Sequence, residues 1–341
     1  MYKTLQTFFL TVLFSLILFS TAAGYAQESV AQPTAPLPPE QSLAPSVDPK
    51  IGYRIEDLGN DIYVIVGQYD YTAMFAVTGD GVVLFDAPPT MAAVLESAIA
   101  SKTNLPVTHL IYSHAHTDHI GAANLFADAK IYAHKDAAAL IPYIADAQPP
   151  TPTVTFDDRL VLNIGGLDIL LEYFGPSHDP GNIFISLPQY RVLMVVDIID
   201  GGHVPWYSLN YASHIPGYLN TIERIMARDF DHYVAGHVDR SYSKAELAVT
   251  RDYVFALQAA MNEAFEALDP ADYVSGQPGD YAHVDTTAES KAYLDAVVAR
   301  CAERIIPEWR DRLGAVEAFT HSHCEAFLQD EIDRGDAAIK R

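Results

Sequence analysis

The feature that most restricts this chain is an apolar strand that runs straight into a cluster of metal-binding side chains. From Thr108 to Gly121 it reads Thr-His-Leu-Ile-Tyr-Ser-His-Ala-His-Thr-Asp-His-Ile-Gly. Val107 to Tyr112 reads as a buried strand, and directly after it come His114, His116, Asp118 and His119. Imidazole nitrogen and carboxylate oxygen suit Zn²⁺ or a similar borderline metal. At a strand end, His114 and His116 can point the same way while Asp118 and His119 turn toward a neighbouring position. That arrangement suits two metals close together better than one.

Further ligands have to come from other strands, and the sequence supplies them. His178 lies in Gly175-Pro176-Ser177-His178-Asp179-Pro180-Gly181-Asn182, after a strand expected over Leu167–Tyr173. Asp197 ends the apolar run Arg191–Val196, and His237 ends Tyr233-Val234-Ala235-Gly236. A potential ligand after an apolar strand sits where a layered α/β fold gathers its active site. The other histidines carry less weight. His109 reads as a core or supporting residue. His321 and His323 imitate a His-x-His pair at an expected helix start, with no Asp-His following, and are expected to face solvent. Tyr69 and Tyr71, and the loop residues His203, Trp206, Tyr207 and Tyr211, either line a substrate pocket or simply pack.

Around these residues the texture alternates between strands and helices. Strands are expected at Tyr63–Val66, Met74–Val77, Val82–Phe85, Lys130–Tyr132, Val154–Phe156 and Ile183–Leu187, with Gly79-Asp80-Gly81 as a hairpin turn. A helix is expected over Met91–Ala100. This mixture predicts an α+β or α/β layered domain. The last quarter is helical: Ser243-Lys244-Ala245-Glu246 is a capping-box pattern opening a long helix, and further helices are expected over Glu289–Ile305 and His323–Ile332. The loop between carries Gln277-Pro278-Gly279.

The amino terminus reads as an address. Lys3, an apolar run from Phe8 to Phe19 and small residues up to Ala26 form a cleaved secretory signal. The run is shorter than the roughly 20 residues of a membrane span, so no stable membrane anchor is expected after cleavage. Residues 27–50, with six prolines from Pro33 to Pro49, read as a flexible arm. The expected organisation is therefore a signal over 1–26, the arm over 27–50, the main domain over 51–268 and a helical extension over 269–341. The compartment is periplasmic or extracellular, and oxidising. There Cys301 and Cys324, each on an apolar helix face, are expected to pair rather than stay buried as two free thiols. The net charge of −23 argues against a surface built for nucleic acid or for an anionic membrane.

Taken in order, His-x-His-x-Asp-His, a lone His before Pro-Gly, a strand-end Asp and a final Gly-His resemble the metallo-β-lactamase superfamily over roughly Ile51 to Leu268. The resemblance implies an αββα sandwich with metals at one edge of two sheets. It also implies that His114, His116 and His178 hold one metal, that Asp118, His119 and His237 hold a second, and that Asp197 bridges them. Asp86 matches an aspartate that braces the metal loop. Two Zn²⁺ are the implied cofactors, with iron or manganese left open. Paired metals about 3.5–4 Å apart can share a hydroxide as nucleophile, and Asp118 would orient that nucleophile or shuttle its proton. The expected function is hydrolysis of a small ester or lactone, because the bridging aspartate is typical of the esterase, lactonase and thioesterase branches. A true β-lactamase is the alternative. A glutathione thioesterase, a nuclease and a non-catalytic metal-binding protein follow behind it. The expected partner is a small-molecule substrate, and a homodimer is left open.

Overall fold

The computed structural model describes residues 44–144, 148–273 and 286–335. The expected signal over 1–26, residues 27–43 of the proline-rich arm and the Gln277-Pro278-Gly279 loop lie outside the described residues.

Twelve strands among the described residues form two sheets. The first has seven strands in sequence order: β1 (Tyr53–Gly59), β2 (Ile62–Gly67), β3 (Thr72–Thr78), β4 (Gly81–Phe85), β5 (Val107–Ile111), β6 (Lys130–His134) and β7 (Val154–Phe156). β1 to β4 are antiparallel neighbours, and β4 to β7 run parallel. The β3–β4 turn closes through Gly81, whose φ of +119° lies in the region that favours glycine. The second sheet has the order β12-β11-β10-β9-β8, from β8 (Arg159–Ile164), β9 (Leu167–Glu172), β10 (Phe184–Leu187), β11 (Val192–Met194) and β12 (His232–Val234). Its strands are antiparallel except the β11–β12 pair.

The strand period sorts the core into layers. On β2, Ile62, Val64 and Val66 enter the core between the sheets, while Tyr63 and Ile65 face the outer core of the first sheet. On β4, Val83 and Phe85 face inward and Val82 and Leu84 outward. The outer core is covered by residues such as Leu95 and Ala137, from the helices Leu95–Ala100 and Lys135–Leu140. Beyond the second sheet, Leu193 and Tyr233 pack under the helices Ile215–Ala227, Lys244–Ala267, Thr286–Trp309 and Val316–Asp333. Helix, sheet, sheet and helix thus stack as an αββα sandwich with a helical C-terminal region.

The capping box forms, with Ser243 N donating to Glu246 Oε2 at 2.9 Å. Cys301 and Cys324 are joined as a disulfide between the last two helices. Two expectations need correction. Met91–Ala100 is not one helix: a 3₁₀ turn, Pro89–Met91, precedes a helix that begins only at Leu95. His323 does not face solvent; it is fully buried, well inside a helix that starts at Val316, while His321 is exposed. Among the described residues no helix is long and apolar enough to cross a membrane.

Candidate metal centre

All seven sequence-predicted ligands emerge from strand ends or the loops beyond them. His114 follows β5, and its Nδ1 lies 2.9 Å from Ser113 Oγ, which leaves Nε2 facing inward. Its backbone neighbour is held from β4: Ser113 N donates to Asp86 Oδ1 at 2.8 Å. His116 then caps a one-turn helix, Thr117–Ile120, that carries Asp118 and His119. His119 O accepts from Ala87 N at 2.7 Å, so β4 and the ligand turn are tied twice. His178 stands in the turn between β9 and β10, Asp197 just beyond β11 and His237 just beyond β12.

The side chains converge as two groups. His114, His116, His178 and Asp197 offer ligand atoms within 4.8 Å of one another, and so do Asp118, His119 and His237. Asp197 stands between the groups. Its Oδ2 is 3.6 Å from His114 Nε2, 3.3 Å from His178 Nε2 and 3.0 Å from His119 Nε2. Its Oδ1 is 3.5 Å from His237 Nε2. The imidazoles also crowd one another, with His178 Nε2 at 2.9 Å from His116 Nδ1 and His119 Nε2 at 3.1 Å from His237 Nε2.

This donor set fits cations. His114 Nε2 and Asp197 Oδ1 are buried without a hydrogen-bond partner, a condition that is costly unless a further group satisfies them. Lone pairs of five imidazoles and two carboxylates converge on small volumes, and the groups include the nitrogen and oxygen donors that divalent metals take. The electrostatics agree. Burial pushes His114 well below the usual imidazole range, leaving it neutral and able to donate a lone pair. Burial alone would raise Asp197, but the positive charge and hydrogen bond of His119, with His178, hold it well below the carboxylate range. Asp118 is likewise opposed by burial yet brought down to about 2 by His237 and His119. Both carboxylates are ionised at neutral pH.

Supporting residues that sequence reasoning missed complete the cradle. Gly236 lies beneath it: a Cβ there would sit 2.5 Å from His119 Cε1 and 2.6 Å from Asp197 Oδ1. Asp179, buried beside His178, places Oδ2 3.7 Å from His116 Nε2 and accepts from Gly181 N at 2.8 Å. The Gly236-His237 pair and the Asp after His178 were visible signals for both. Among the expected pocket residues, Tyr71 touches the centre directly. Its hydroxyl donates to Asp118 Oδ2 at 3.3 Å, and its ring centroid is 4.4 Å from that of His237. Tyr69, Trp206, Tyr207 and Tyr211 are exposed. Trp206 leans on Phe319, Tyr207 and Tyr211 lie 5.5 Å apart, and the His203 ring rests against Gly314 in the C-terminal region. These loop residues lie against one another and the C-terminal region, whereas Tyr71 reaches the candidate ligands.

Comparison with known proteins places this arrangement. A family model described as the metallo-beta-lactamase superfamily matches residues 66–237, a span that runs from β2 through His237. The chain is 30% identical over 231 residues to the 2,4-dinitroanisole O-demethylase subunit alpha of Nocardioides sp. (strain JS1661), covering 64% of this chain and 68% of that protein. It is 28% identical over 137 residues to metallo-beta-lactamase IND-1 of Chryseobacterium indologenes, covering 40% of this chain and about half, 54%, of the relative. Among solved structures, a metallo-beta-lactamase from Pontibacter korlensis superposes with a TM-score of 0.50 at 19% identity, over 59% of this chain and 97% of that one. Metallo-beta-lactamase IND-7 superposes with a TM-score of 0.51 at 22% identity, over 60% of this chain and 99% of the other. At these identities the structural likeness speaks for the fold.

Proposed function

This chain belongs to the metallo-beta-lactamase superfamily, whose members are mostly hydrolytic metalloenzymes, and we propose that it is an exported hydrolase with two zinc ions, acting on a small neutral ester or lactone. His114, His116 and His178 would hold one ion, and Asp118, His119 and His237 the other. Asp197 would serve both. When bound, such a pair supplies Lewis acidity and a nucleophilic water at neutral pH. The chain's own part is to fix the ligands from several strand ends, to keep Asp118 ionised for orienting the nucleophile, and to hold Asp118 with the Tyr71 hydroxyl.

The observation that carries this reading is the position of Asp197. One carboxylate oxygen within 3.6 Å of His114 and 3.0 Å of His119 suits a residue shared between two ions. Such a carboxylate lowers the net charge of the pair and fixes its spacing. An ester releases an alkoxide that a single cation can stabilise, whereas a β-lactam releases an amide nitrogen and usually presents a carboxylate that a basic side chain must grip. Two cations near the metal loops are paired with carboxylates: Lys135 with Asp157, and Arg240 with Glu246 at 2.6 Å. With a net charge of −23 the chain also repels an anionic substrate, while a neutral one approaches without that penalty. Export is supported by the amino-terminal sequence and by the disulfide, which persists in oxidising compartments.

A second reading rests on the O-demethylase subunit, the relative matched over the greater length. That protein's name makes an activated aryl methyl ether a substrate to test beside esters. The deciding experiment compares kcat/KM of the zinc-replete protein for a γ-lactone, an aryl ester, 2,4-dinitroanisole and a cephalosporin. The lactone or the ester is expected to lead. A β-lactam ahead by tenfold, about 1.4 kcal/mol of transition-state preference, overturns the reading, and so does dinitroanisole ahead by the same factor.

A further inference from the structure

The segment that leads from Asp197 to the helix Ile215–Ala227 contains a backbone feature that the ligand geometry does not explain by itself. Ser208, Leu209, Asn210 and Tyr211 have φ values of 53°, 56°, 56° and 56°. They form one left-handed turn within Tyr207–Tyr211, without a single glycine. In that region Cβ crowds the following carbonyl oxygen, so L-residues visit it singly and not in runs. Four in succession persist only where the surroundings over-determine them.

The surroundings act from two sides. On the side of the metal centre, Asn210 Nδ2 donates to Asp197 O at 3.1 Å, and Asn210 Oδ1 accepts from Trp206 N at 2.6 Å. Just beyond the turn, Ser213 N donates to His178 O at 2.9 Å. The turn and Ser213 just after it are therefore bonded to the main chain of two candidate ligands that come from different loops. On the far side the partner is the helix Val316–Asp333. Ser208 N donates to Ser322 Oγ at 3.0 Å. His323 Nε2 lies 2.9 Å from Pro205 O and 3.1 Å from Trp206 O, while its Nδ1 lies 2.8 Å from the Tyr253 hydroxyl. Backbone carbonyls only accept, so Nε2 carries the proton and Nδ1 accepts from Tyr253. One fully buried neutral imidazole thus fixes the entrance to the turn. The next residue is Cys324, bonded to Cys301 on the neighbouring helix.

We propose that Asn210 and His323 are positioning residues for the metal centre. The helical C-terminal region, pinned by its disulfide, holds the left-handed turn, and the turn holds the backbones of Asp197 and His178 at the spacing the two ligand groups require. The proposal rests on the two-metal reading above, and it assigns the C-terminal helices a role in shaping the site beyond completing the core.

The test measures zinc affinity by chelator competition on the full, disulfide-bonded chain, together with the visible absorption bands of the cobalt-loaded protein. Asn210→Gly removes the clamp on Asp197 but adopts positive φ without strain, so the turn is still free to form. It is expected to lose at least tenfold in affinity for one or both ions and to shift the cobalt bands, with the circular-dichroism spectrum unchanged. His323→Ala is expected to share that loss. His323→Gln, which keeps a donor toward the carbonyls and an acceptor toward Tyr253, is expected to recover it. Should Asn210→Gly fail to fold, the His323→Ala and His323→Gln pair decides alone. Wild-type affinities and cobalt bands in His323→Ala, with the same result in any folded Asn210→Gly, overturn the proposal and leave the two-metal reading standing. Wild-type protein that takes up no metal overturns both.

Discussion

Replacing Gly236 with alanine places one methyl group between three atoms that have no room for it. The added Cβ would lie 2.5 Å from His119 Cε1, 2.5 Å from Val196 Cγ1 and 2.6 Å from Asp197 Oδ1. Gly236 is not among the residues with positive φ, so crowding and not backbone strain sets the effect. None of the three neighbours is the free end of a surface side chain: His119 and Val196 are wholly buried and Asp197 nearly so. Overpacking a filled site of this kind costs about 1–3 kcal/mol, which for a chain of this size lowers Tm by about 2–5 °C. The effect on chemistry should be far larger than the effect on stability. His119 and Asp197 belong to the two ligand groups, and a misplacement near 1 Å costs about 10²-fold in rate. The assay follows Tm, zinc content and kcat/KM on one preparation. Gly79→Ala serves as control, because the nearest atom to its added Cβ is 3.4 Å away. A Gly236→Ala protein with wild-type zinc content and wild-type kcat/KM would refute the reasoning, since it would mean that His119 and Asp197 can yield without consequence.

Protein purified without chelator should contain about two zinc ions per chain by elemental analysis; a value that stays at one after zinc loading removes the shared role from Asp197. His116→Ala and Asp118→Ala should abolish turnover with a native circular-dichroism spectrum, because both side chains stand at the sheet edge and are partly exposed; unfolding would contradict that placement. In the metal-free protein burial lowers His119, but Asp197 and Asp118 outweigh it and raise its pKa from 6.5 to about 9. A raised imidazole contributes stability that is complete below pH 6.5 and is lost as pH rises through about 9. Metal-free Tm should therefore fall across that window in wild type and stay flatter in His119→Asn; equal slopes in the two proteins would sink the argument. Reducing the Cys301–Cys324 bond releases a loop with a sequence separation of 23, which should destabilise by roughly 3 kcal/mol; an unchanged Tm with reductant would show that packing alone holds the last two helices.

The candidate centre was legible because its ligands follow apolar runs, and an apolar run that stops at a histidine or aspartate is visible without any knowledge of pairing. His178, Asp197 and His237 can be singled out on that basis although the last of them lies 118 positions after His119. The elements that escaped notice lack such runs. β1 and β8 sit at sheet edges, and β8 alternates exposed with half-buried residues, so neither presents a continuous apolar segment. The helix Ile215–Ala227 keeps buried residues at Ile215, Tyr218, Ile222 and Ile225, a helical spacing. In the sequence Pro216 and Gly217 interrupt that spacing at its start. In the structure Pro216 occupies the first turn, where a missing N–H is no loss, and Gly217 is required where a Cβ would strike Pro176 O. The burial of His323 is invisible in the sequence for a different reason. Its partners Tyr253, Pro205 and Trp206 lie 70 or more residues away, and a local pattern contains nothing about them.

Two aspartates explain why the site has to be read from backbone geometry as well as from residue type. Asp86 and Asp197 both stand where an apolar strand run ends, and both adopt left-handed φ, 60° and 61°. A chain leaving a strand in that conformation turns abruptly, and the short polar side chain of aspartate tolerates it better than most residues with a Cβ. The two then act in sequence. Asp86 turns back to accept from Ser113 N, which orients the backbone that delivers His114. Asp197 turns into the space between the ligand groups and meets His114, His119 and His178 with one oxygen. Burial raises Asp86 to about 6, opposed by His119 and the Ser113 bonds, so its carboxyl depends on the same histidine that steadies Asp197. Strained backbone of this kind is retained where the surrounding structure compensates for it. Here the compensation comes from hydrogen bonds and charges that all belong to one cradle, so the strain at Asp86 and Asp197 and the convergence of the ligands are a single structural fact.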